Sequence, residues 1–255
     1  MQGKIIESSY IINMALYQRP QKPQERPHCY ICGQLNELTD DHLPPKGFFP
    51  PTNRENLITA PLCSSCHDPL KKTDEAMRVW LAAAAGVSSA GKWIWQNKVL
   101  GSTFRRSPKL RWNIQQRYFR PIYSGIKNGE IVAGIFTIPQ GRAVPFIRRL
   151  TKGLLYSFYP DYNYFADFFT VNYELPTQER VQIVSQLAQN LSAVQVGDGV
   201  FRVWHGITAD TGDAGAWVYL FYEAVCFVCF HGKSDMYAQK FEDNYEEEKG
   251  LPPAL

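Results

Sequence analysis

The sequence lacks any uninterrupted apolar run of the length that a membrane-spanning helix requires. Its first twenty residues also lack the long apolar segment and the small-residue cleavage site of a secretory signal peptide, because Lys4 and Glu7 stand where that segment would begin. These absences predict a cytoplasmic protein with no membrane partner. Since thiols stay reduced in the cytoplasm, closely spaced cysteines there bind metal ions more often than they form disulfides.

Acidic residues are missing from a long central stretch, since none occurs between Glu75 and Glu130. The first 120 residues consequently carry 17 Lys and Arg against 9 Asp and Glu, although the whole chain has a net charge of only +3. Aromatic residues are interleaved with the cations, which is typical of surfaces that bind nucleic acid. A solvated basic face with buried tryptophans is the alternative. The side chains that we expect to contact nucleic acid are Lys46, Lys71, Lys72, Arg105, Arg106, Lys109, Arg111 and Arg117.

Composition divides the chain into five parts. The polar, proline-containing residues 1–27 predict an extended arm, and the turn-rich residues 28–75 predict a small compact module. Residues 76–127 form a basic helical segment, residues 128–240 predict a separate α+β domain, and the acidic residues 241–255 predict a tail. The predicted fold class is therefore α+β.

Hydrophobic periodicity and turn residues place the regular elements within these parts. A helix is predicted from Asp74 to Ala85, because Asp74 can cap it and alanine favours its interior, and the glycine-rich residues 86–91 are expected to break it. In a further amphipathic helix, at 143–160, Arg148 and Arg149 are expected on the polar side. The remaining predicted helices are 92–100, 109–119 and 177–194, and the predicted strands are 130–139, 200–208 and one or two within 216–232.

Four of the six cysteines form two identical pairs, Cys29-x-x-Cys32 and Cys63-x-x-Cys66, with 30 residues between the pairs. Two such knuckles supply the four thiolates that a structural, tetrahedral Zn²⁺ prefers, so we expect zinc here. The second pair continues into His67 and therefore also matches the C-x-x-C-H pattern of covalent haem attachment. Haem is disfavoured because the chain has a matching upstream knuckle and no export signal.

The residues around the two pairs resemble the HNH endonuclease family, in the subgroup whose ββα-metal motif is braced by a four-cysteine zinc site. The matching segments are CYICG, DDHLPPKGFF and NLITAPLCSSCH, within about residues 28–75. The resemblance implies a metal-dependent enzyme that hydrolyses phosphodiester bonds, with DNA favoured over RNA. In the family, the residue before the first histidine and the last histidine or asparagine bind the catalytic ion, and the middle asparagine orients the base. By match these are Asp41, His67 and Asn56.

The chemistry of phosphodiester hydrolysis gives these residues their expected roles. The reaction needs a base that activates water and a cation that stabilises charge on the phosphate. His42 is the candidate base, because imidazole titrates near neutral pH. Asp41 and His67 offer a carboxylate and an imidazole to one Mg²⁺ or Mn²⁺ ion and leave open positions for water and phosphate.

Several of these assignments have alternatives that the sequence leaves open. Asp40 competes with Asp41 as the carboxylate ligand, although adjacency to the candidate base favours Asp41. Asn53 is a substitute for Asn56, because the spacing from Asn56 to the second cysteine pair is longer than in many family members. Asn56 alternatively caps a turn, and His67 alternatively serves as a spare zinc ligand.

The resemblance also implies a cellular context. Small HNH proteins of this kind often occur in phage-defence and mobile-element systems, so by family analogy a partner protein such as an ATPase could control this one. Two other functions fit the same residues. One is a zinc-ribbon module that binds nucleic acid without cleaving it, and the other is a nuclease that stays silent until residues 128–255 sense a partner or signal.

Four further residues resemble site residues but are expected to be structural. Cys226 and Cys229 repeat the knuckle spacing in an apolar, strand-like run, where positions three apart point to opposite faces. Buried thiols are therefore favoured over a second metal site. His205 and His231 flank strands without nearby carboxylate or cysteine partners, and we expect both to be structural.

Overall fold

The computed structural model describes residues 27–85, 88–117, 119–122, 133–136, 140–174, 178–208 and 214–233. Helices and strands are both abundant in these residues, which confirms the α+β class. Nearly all of the predicted arm and the whole predicted acidic tail lie outside the described residues. Of the helices in the described ranges, none is long and apolar enough to cross a lipid bilayer.

The first described elements are two antiparallel strands that lead into a helix. Strand β1 (Leu38–His42) pairs with β2 (Thr59–Cys63), and β2 continues without a loop into α1 (Ser64–Ala84). The sequence predicted this helix only from Asp74. It begins ten residues earlier because the second knuckle itself forms the first turn, and Asp74 consequently lies inside the helix instead of capping it.

The basic segment is a succession of short helical pieces. Helical character is confirmed over most of the predicted ranges 92–100 and 109–119, and the predicted break at 86–91 is shorter than expected. The side-chain oxygen of Ser88 accepts the N–H of Gly91 at 2.9 Å and starts the next helix. The pieces are α2 (Ser89–Ile94), a π-helical stretch (Trp95–Thr103), α3 (Phe104–Arg106) and α4 (Pro108–Arg117).

A hairpin of β3 (Phe119–Ile122) and β4 (Ala133–Phe136) follows.

Among the described residues, the main sheet has five antiparallel strands in the order β5-β9-β8-β7-β6. The predicted strands at 200–208 and within 216–232 are confirmed as β7, β8 and β9. The end of the predicted helix 177–194 is wrong, because residues 192–196 pair with β7 and that pairing overrides their helical periodicity. The strands are β5 (Phe168–Glu174), β6 (Ser192–Val196), β7 (Phe201–Ile207), β8 (Ala214–Phe221) and β9 (Val225–Gly232).

Helices cover both faces of this sheet. Helix α6 (Gln178–Gln189) packs on one face through Val184 and Leu187, and α5 (Gln140–Phe158), close to its predicted bounds, packs on the other. Helix α5 also contacts β2 and α1, so it lies between the sheet and residues 28–75. The described buried side chains on this face form one continuous core from Cys29 to Cys229. The region predicted as a separate domain is thus packed directly on the module.

Tight turns at one end of the sheet contact the loop that joins β1 to β2. In the β8–β9 turn, Tyr222 has a φ of 52° and is buried, and its hydroxyl donates to the carbonyl oxygen of Phe48 at 2.8 Å. In the β6–β7 turn, the carbonyl oxygen of Asp198 accepts the side-chain amide of Asn53 at 2.9 Å. The C-terminal sheet therefore holds the loop between the two module strands.

Gly197 and Gly199 give a matched test of this contact, since both have a φ of 63°. A Cβ at position 197 would lie 2.8 Å from the carbonyl oxygen of Asn53 and from the Phe49 ring, whereas at position 199 the nearest atom is 3.5 Å away. We expect Gly199→Ala to cost about 1 kcal/mol of left-handed strain. Gly197→Ala should cost about 1–3 kcal/mol more, because the contact is overpacked. Urea unfolding measures both, and equal losses would contradict the docked loop.

Candidate functional site

The four knuckle cysteines converge on one point. The sulfur atoms of Cys29, Cys32, Cys63 and Cys66 all lie within 4.8 Å of one another, and the Cys32 and Cys63 sulfurs are 3.7 Å apart. Four thiolates around one zinc ion, at a Zn–S distance of about 2.3 Å, lie about 3.8 Å apart in a tetrahedron. The four cysteines can therefore hold a zinc ion. The described residues contain no second group of three or more metal-ligating side chains at this spacing.

Local structure prepares the second knuckle for metal binding. Cys63 ends β2 and Cys66 lies in the first turn of α1, so the strand-to-helix junction fixes the distance between them. The Ser65 hydroxyl, 3.1 Å from the Cys63 sulfur, and the backbone N–H of Cys66 lower the pKa of Cys63 to about 6. Burial, and then the hydrogen bonds to Cys63 and Cys32, raise the pKa of Cys66, so Cys63 is the thiol of this knuckle that ionises first. Thiolate is the form that binds metal.

Asp41 lies in a buried network that the sequence did not indicate. Its Oδ2 accepts the hydroxyl of Tyr30 at 2.6 Å, and Tyr30 directly follows the first knuckle cysteine. The guanidinium of Arg149, whose side chain is 4% exposed, lies 3.9 Å from the same oxygen. Arg149 also donates twice to Asp74, at 2.7 and 3.1 Å. Asp41 is therefore connected to the first knuckle, to α1 and to α5 through one cluster.

Burial sets the protonation of this cluster. It raises the pKa of Tyr30 well above its usual range, so Tyr30 stays a neutral hydroxyl donor. Burial also raises the pKa of Asp74 to about 6, and the neighbouring Arg149 opposes that rise. Burial disfavours the charge of Arg149, but the charges of Asp74 and Asp41 outweigh it and raise its pKa. Near neutral pH, one guanidinium is thus shared by two carboxyl groups.

His42 ends β1 opposite Thr59 and is half-buried. Its pKa is lowered first by burial and then by the charge of Lys46, against the opposing effect of the adjacent carboxylates. The neutral imidazole is therefore the favoured form at neutral pH, which is the form that can accept a proton. The exposed Lys46 stands four residues further along, at the start of a short 3₁₀ helix (Lys46–Phe48).

His67 follows Cys66 in the first turn of α1 and is half-buried. Asp74 lies seven residues later, which is about two helical turns, so both side chains lie on the same face of α1. Since Arg149 joins Asp74 to Asp41, the face of α1 that carries His67 is turned towards the Asp41 cluster. Neither Asp41 nor His67 belongs to a group of three or more metal-ligating side chains among the described residues.

The two candidate asparagines have different surroundings. Asn56 is exposed in the turn before β2 with a φ of 55°, a left-handed conformation that asparagine tolerates better than most residues. The side chain of Asn53 is engaged, since it donates to Asp198 and accepts the Thr52 hydroxyl at 2.6 Å. Both asparagines line an open cavity of about 350 Å³ between this loop and the β6–β7 turn.

Most of the predicted nucleic-acid contacts lie on the surface. Among them, Lys71 pairs with Asp68 at 2.7 Å, and Arg106 lies 3.5 Å from Glu75 of α1. The side chain of Arg117 lies outside the described residues. The exposed cations are Lys46, Lys71, Lys72, Arg105, Arg106, Lys109 and Arg111.

The residues expected to be structural are buried or half-buried, with one correction. Cys229 is buried on the α5 face of the sheet and Cys226 packs on the α6 face, which confirms that they point in opposite directions. His205 stacks on Phe158 and is buried. The expectation that His231 lacks a carboxylate partner is wrong, because the turn before β5 brings Asp167 within 2.9 Å of its Nδ1.

Sequence reasoning missed Tyr30, Asp74 and Arg149 as members of the site. Arg149 was expected on the polar side of its helix, but it is buried, and its guanidinium lies over the Phe146 ring at 5.6 Å. The sequence did contain a signal for this burial. Position 149 lies three residues after Phe146 and one before Leu150, and both are apolar, so it falls within the apolar stripe of the helix. Its acidic partners, 75 and 108 residues away, could not be assigned from local patterns.

No protein-family model, curated protein or solved structure matches this chain. The functional interpretation therefore depends on the geometry of the described residues and on their chemistry. The four-thiol group and the buried cluster around Asp41 are the features that this geometry defines best.

The division of labour between Cys66 and His67 can be tested by substitution. Cys63→Ser should lose zinc and lower the melting temperature, because structural zinc contributes directly to folding. His67→Ala should keep both zinc and fold. Zinc content by mass spectrometry and thermal melts measure the two variants. Release of zinc from His67→Ala would instead identify His67 as a zinc ligand.

The buried cluster predicts a large difference between neighbouring arginines. Arg149→Met leaves two buried carboxyl groups without their cation and should cost about 3–5 kcal/mol of unfolding free energy. Arg148 is exposed on the same helix, so Arg148→Met should stay within about 0.5 kcal/mol of the wild type. Denaturant unfolding compares them. Similar small effects for both variants would contradict the network.

Proposed function

We propose that this chain is a metal-dependent endonuclease of the HNH type, which hydrolyses phosphodiester bonds with DNA as the favoured substrate. The observation that carries the proposal is the arrangement of β1, β2 and α1 around the four-cysteine group. This arrangement gives Asp41 and His42 fixed positions at the end of β1, and it gives His67 a fixed position in the first turn of α1.

The four thiolates would hold a structural zinc ion. Such a site ties the turn that contains Cys29 and Cys32 to the junction of β2 and α1. The side chain after Cys66 is then directed by the helix and not by zinc, because four thiolates complete a tetrahedral site. This leaves the imidazole of His67 for a different task.

Asp41 and His67 would hold the catalytic Mg²⁺ or Mn²⁺ ion. Two buried carboxyl groups share the guanidinium of Arg149, so the cluster is one positive charge short of neutrality when both are ionised. A cation at Asp41 would offset that deficit. Both contacts of Asp41 named above are made by Oδ2, which leaves Oδ1 as the oxygen offered to an ion. When bound, the ion supplies stabilisation of charge on the phosphate oxygens.

His42 would act as the general base. Its neutral imidazole accepts a proton from a water molecule, the water oxygen forms a bond to phosphorus, and one P–O ester bond breaks. The departing oxygen takes its proton from solvent. Asn56 is proposed to orient the imidazole, and the exposed ammonium of Lys46 would contact the phosphate. The remaining exposed cations would bind the flanking phosphates.

Two other functions have support from particular contacts. The engagement of Asp41 by Tyr30 and Arg149 favours a purely structural role for this carboxylate, as in a non-catalytic zinc-ribbon module. Arg149 belongs to α5, which lies in the C-terminal half of the chain. This favours a nuclease whose site depends on the state of that half. Such a dependence would suit a phage-defence effector that a partner protein controls.

Plasmid nicking tests the proposal. Zinc-loaded protein with Mn²⁺ or Mg²⁺ should nick supercoiled DNA, and His42→Ala should lower the rate by about 100-fold or more with zinc content unchanged. Asp41→Asn should also lose activity. The exposed neighbour provides the matched control, since Asp40→Asn should retain it.

Equal nicking by wild type and His42→Ala would refute the assignment of the base. Loss in Asp40→Asn but not in Asp41→Asn would exchange the two carboxylates. DNA binding by a zinc-loaded wild type that never nicks would favour the non-catalytic module.

A further inference from the structure

One tryptophan differs from the others in its surroundings. Trp80 and Trp217 are buried, and Trp95 packs edge-on against Phe104 at 5.8 Å. Trp93 is half-buried against the core, and Trp204 is buried on the α6 face. Trp112, in contrast, is 58% exposed on α4. A single exposed apolar side chain is common on protein surfaces, so the charges around this indole decide what it can bind.

The neighbours of Trp112 define the surface on which it stands. Helix α4 faces the core with Ile114, which is buried, and with Leu110 one turn earlier. Lys109, Trp112 and Gln116 are spaced by three and four residues, so they share the other face of the helix, and all of them are exposed. Arg111 is exposed beside them, and the sequence has no acidic residue between Glu75 and Glu130.

We propose that Trp112 is a stacking platform for an unpaired base, and that the substrate therefore contains single-stranded DNA close to the bond that is cut. This inference rests on the proposed function. An aromatic ring among cations complements an aromatic ligand that carries negative charge, and a nucleobase on its phosphate backbone is such a ligand. Inside a duplex, both faces of each base are covered by neighbouring bases. A protein ring can stack on one only where the strand is unpaired or a base is flipped out.

The position of α4 relative to the candidate active site fits one continuous strand. Arg106, two residues before α4, lies 3.5 Å from Glu75 of α1. Glu75 is eight residues after His67 in the same helix, which corresponds to about 12 Å of helical rise. The exposed Lys71 and Lys72 lie on α1 between these two points.

Binding measurements on full-length protein test the inference without cleavage. The His42→Ala variant is used with EDTA-free buffer lacking Mg²⁺ and Mn²⁺, and fluorescence anisotropy compares a labelled single-stranded oligonucleotide with a blunt duplex at fixed salt. Adding Trp112→Ala should weaken single-strand binding about tenfold and duplex binding less than about twofold. Trp112→Phe, which keeps a ring, should stay within about threefold of its parent.

Leu100→Ala is the control, because it removes another exposed apolar side chain from the preceding helical stretch and should change neither affinity. Equal losses for the two DNA forms, or no loss with Trp112→Ala, would overturn the inference. So would dissociation of a protein dimer by Trp112→Ala in light scattering, since Trp112 would then contact a second copy.

If the wild type fails to nick but the expected pattern of affinities appears, the proposed cleavage fails while the stacking site stands. If the wild type nicks DNA but Trp112→Ala changes neither affinity, the proposed cleavage stands and the stacking site fails.

Discussion

The guanidinium of Arg149 is buried, so its charge needs carboxylates close to it, and two distant parts of the chain supply them. Asp74 on α1 accepts two hydrogen bonds, and Asp41 on β1 lies at 3.9 Å. Since breaking a buried ion pair costs several kcal/mol, α5, α1 and β1 have to keep their relative positions. The geometry of the candidate active site therefore depends on a residue from the C-terminal half of the protein.

The C-terminal sheet extends the same constraint to the loop between β1 and β2. Tyr222 inserts into the module and donates to Phe48, while the turn at Gly197 approaches Asn53 closely. With α5 on one side and these turns on another, the segment that follows His42 is held between two parts of the C-terminal half. The described residues of the C-terminal half therefore help to hold the candidate site in place.

The sequence allowed local features of the site to be predicted and left long-range ones hidden. The knuckle spacing predicted the four-thiol group, because two C-x-x-C pairs supply the four thiolates of a tetrahedral zinc site. The partnership of Asp41 with Arg149 was not predictable, since a single charged residue within an apolar stripe does not reveal which distant carboxylate faces it. The first three residues of β6 were assigned to a helix for a related reason, because pairing with β7 decided their conformation and local periodicity did not.

Metal binding tests the central claim most directly, which is that two neighbouring metal sites have separate ligands and separate tasks. Zinc-loaded protein titrated with Mn²⁺ can be followed by electron paramagnetic resonance of the free ion, with no need for catalysis. The account predicts one Mn²⁺ bound per chain in addition to zinc, with binding lost in Asp41→Asn and kept in Asp40→Asn. A zinc-loaded protein that binds no Mn²⁺, or one that binds it equally well in both variants, would contradict the account.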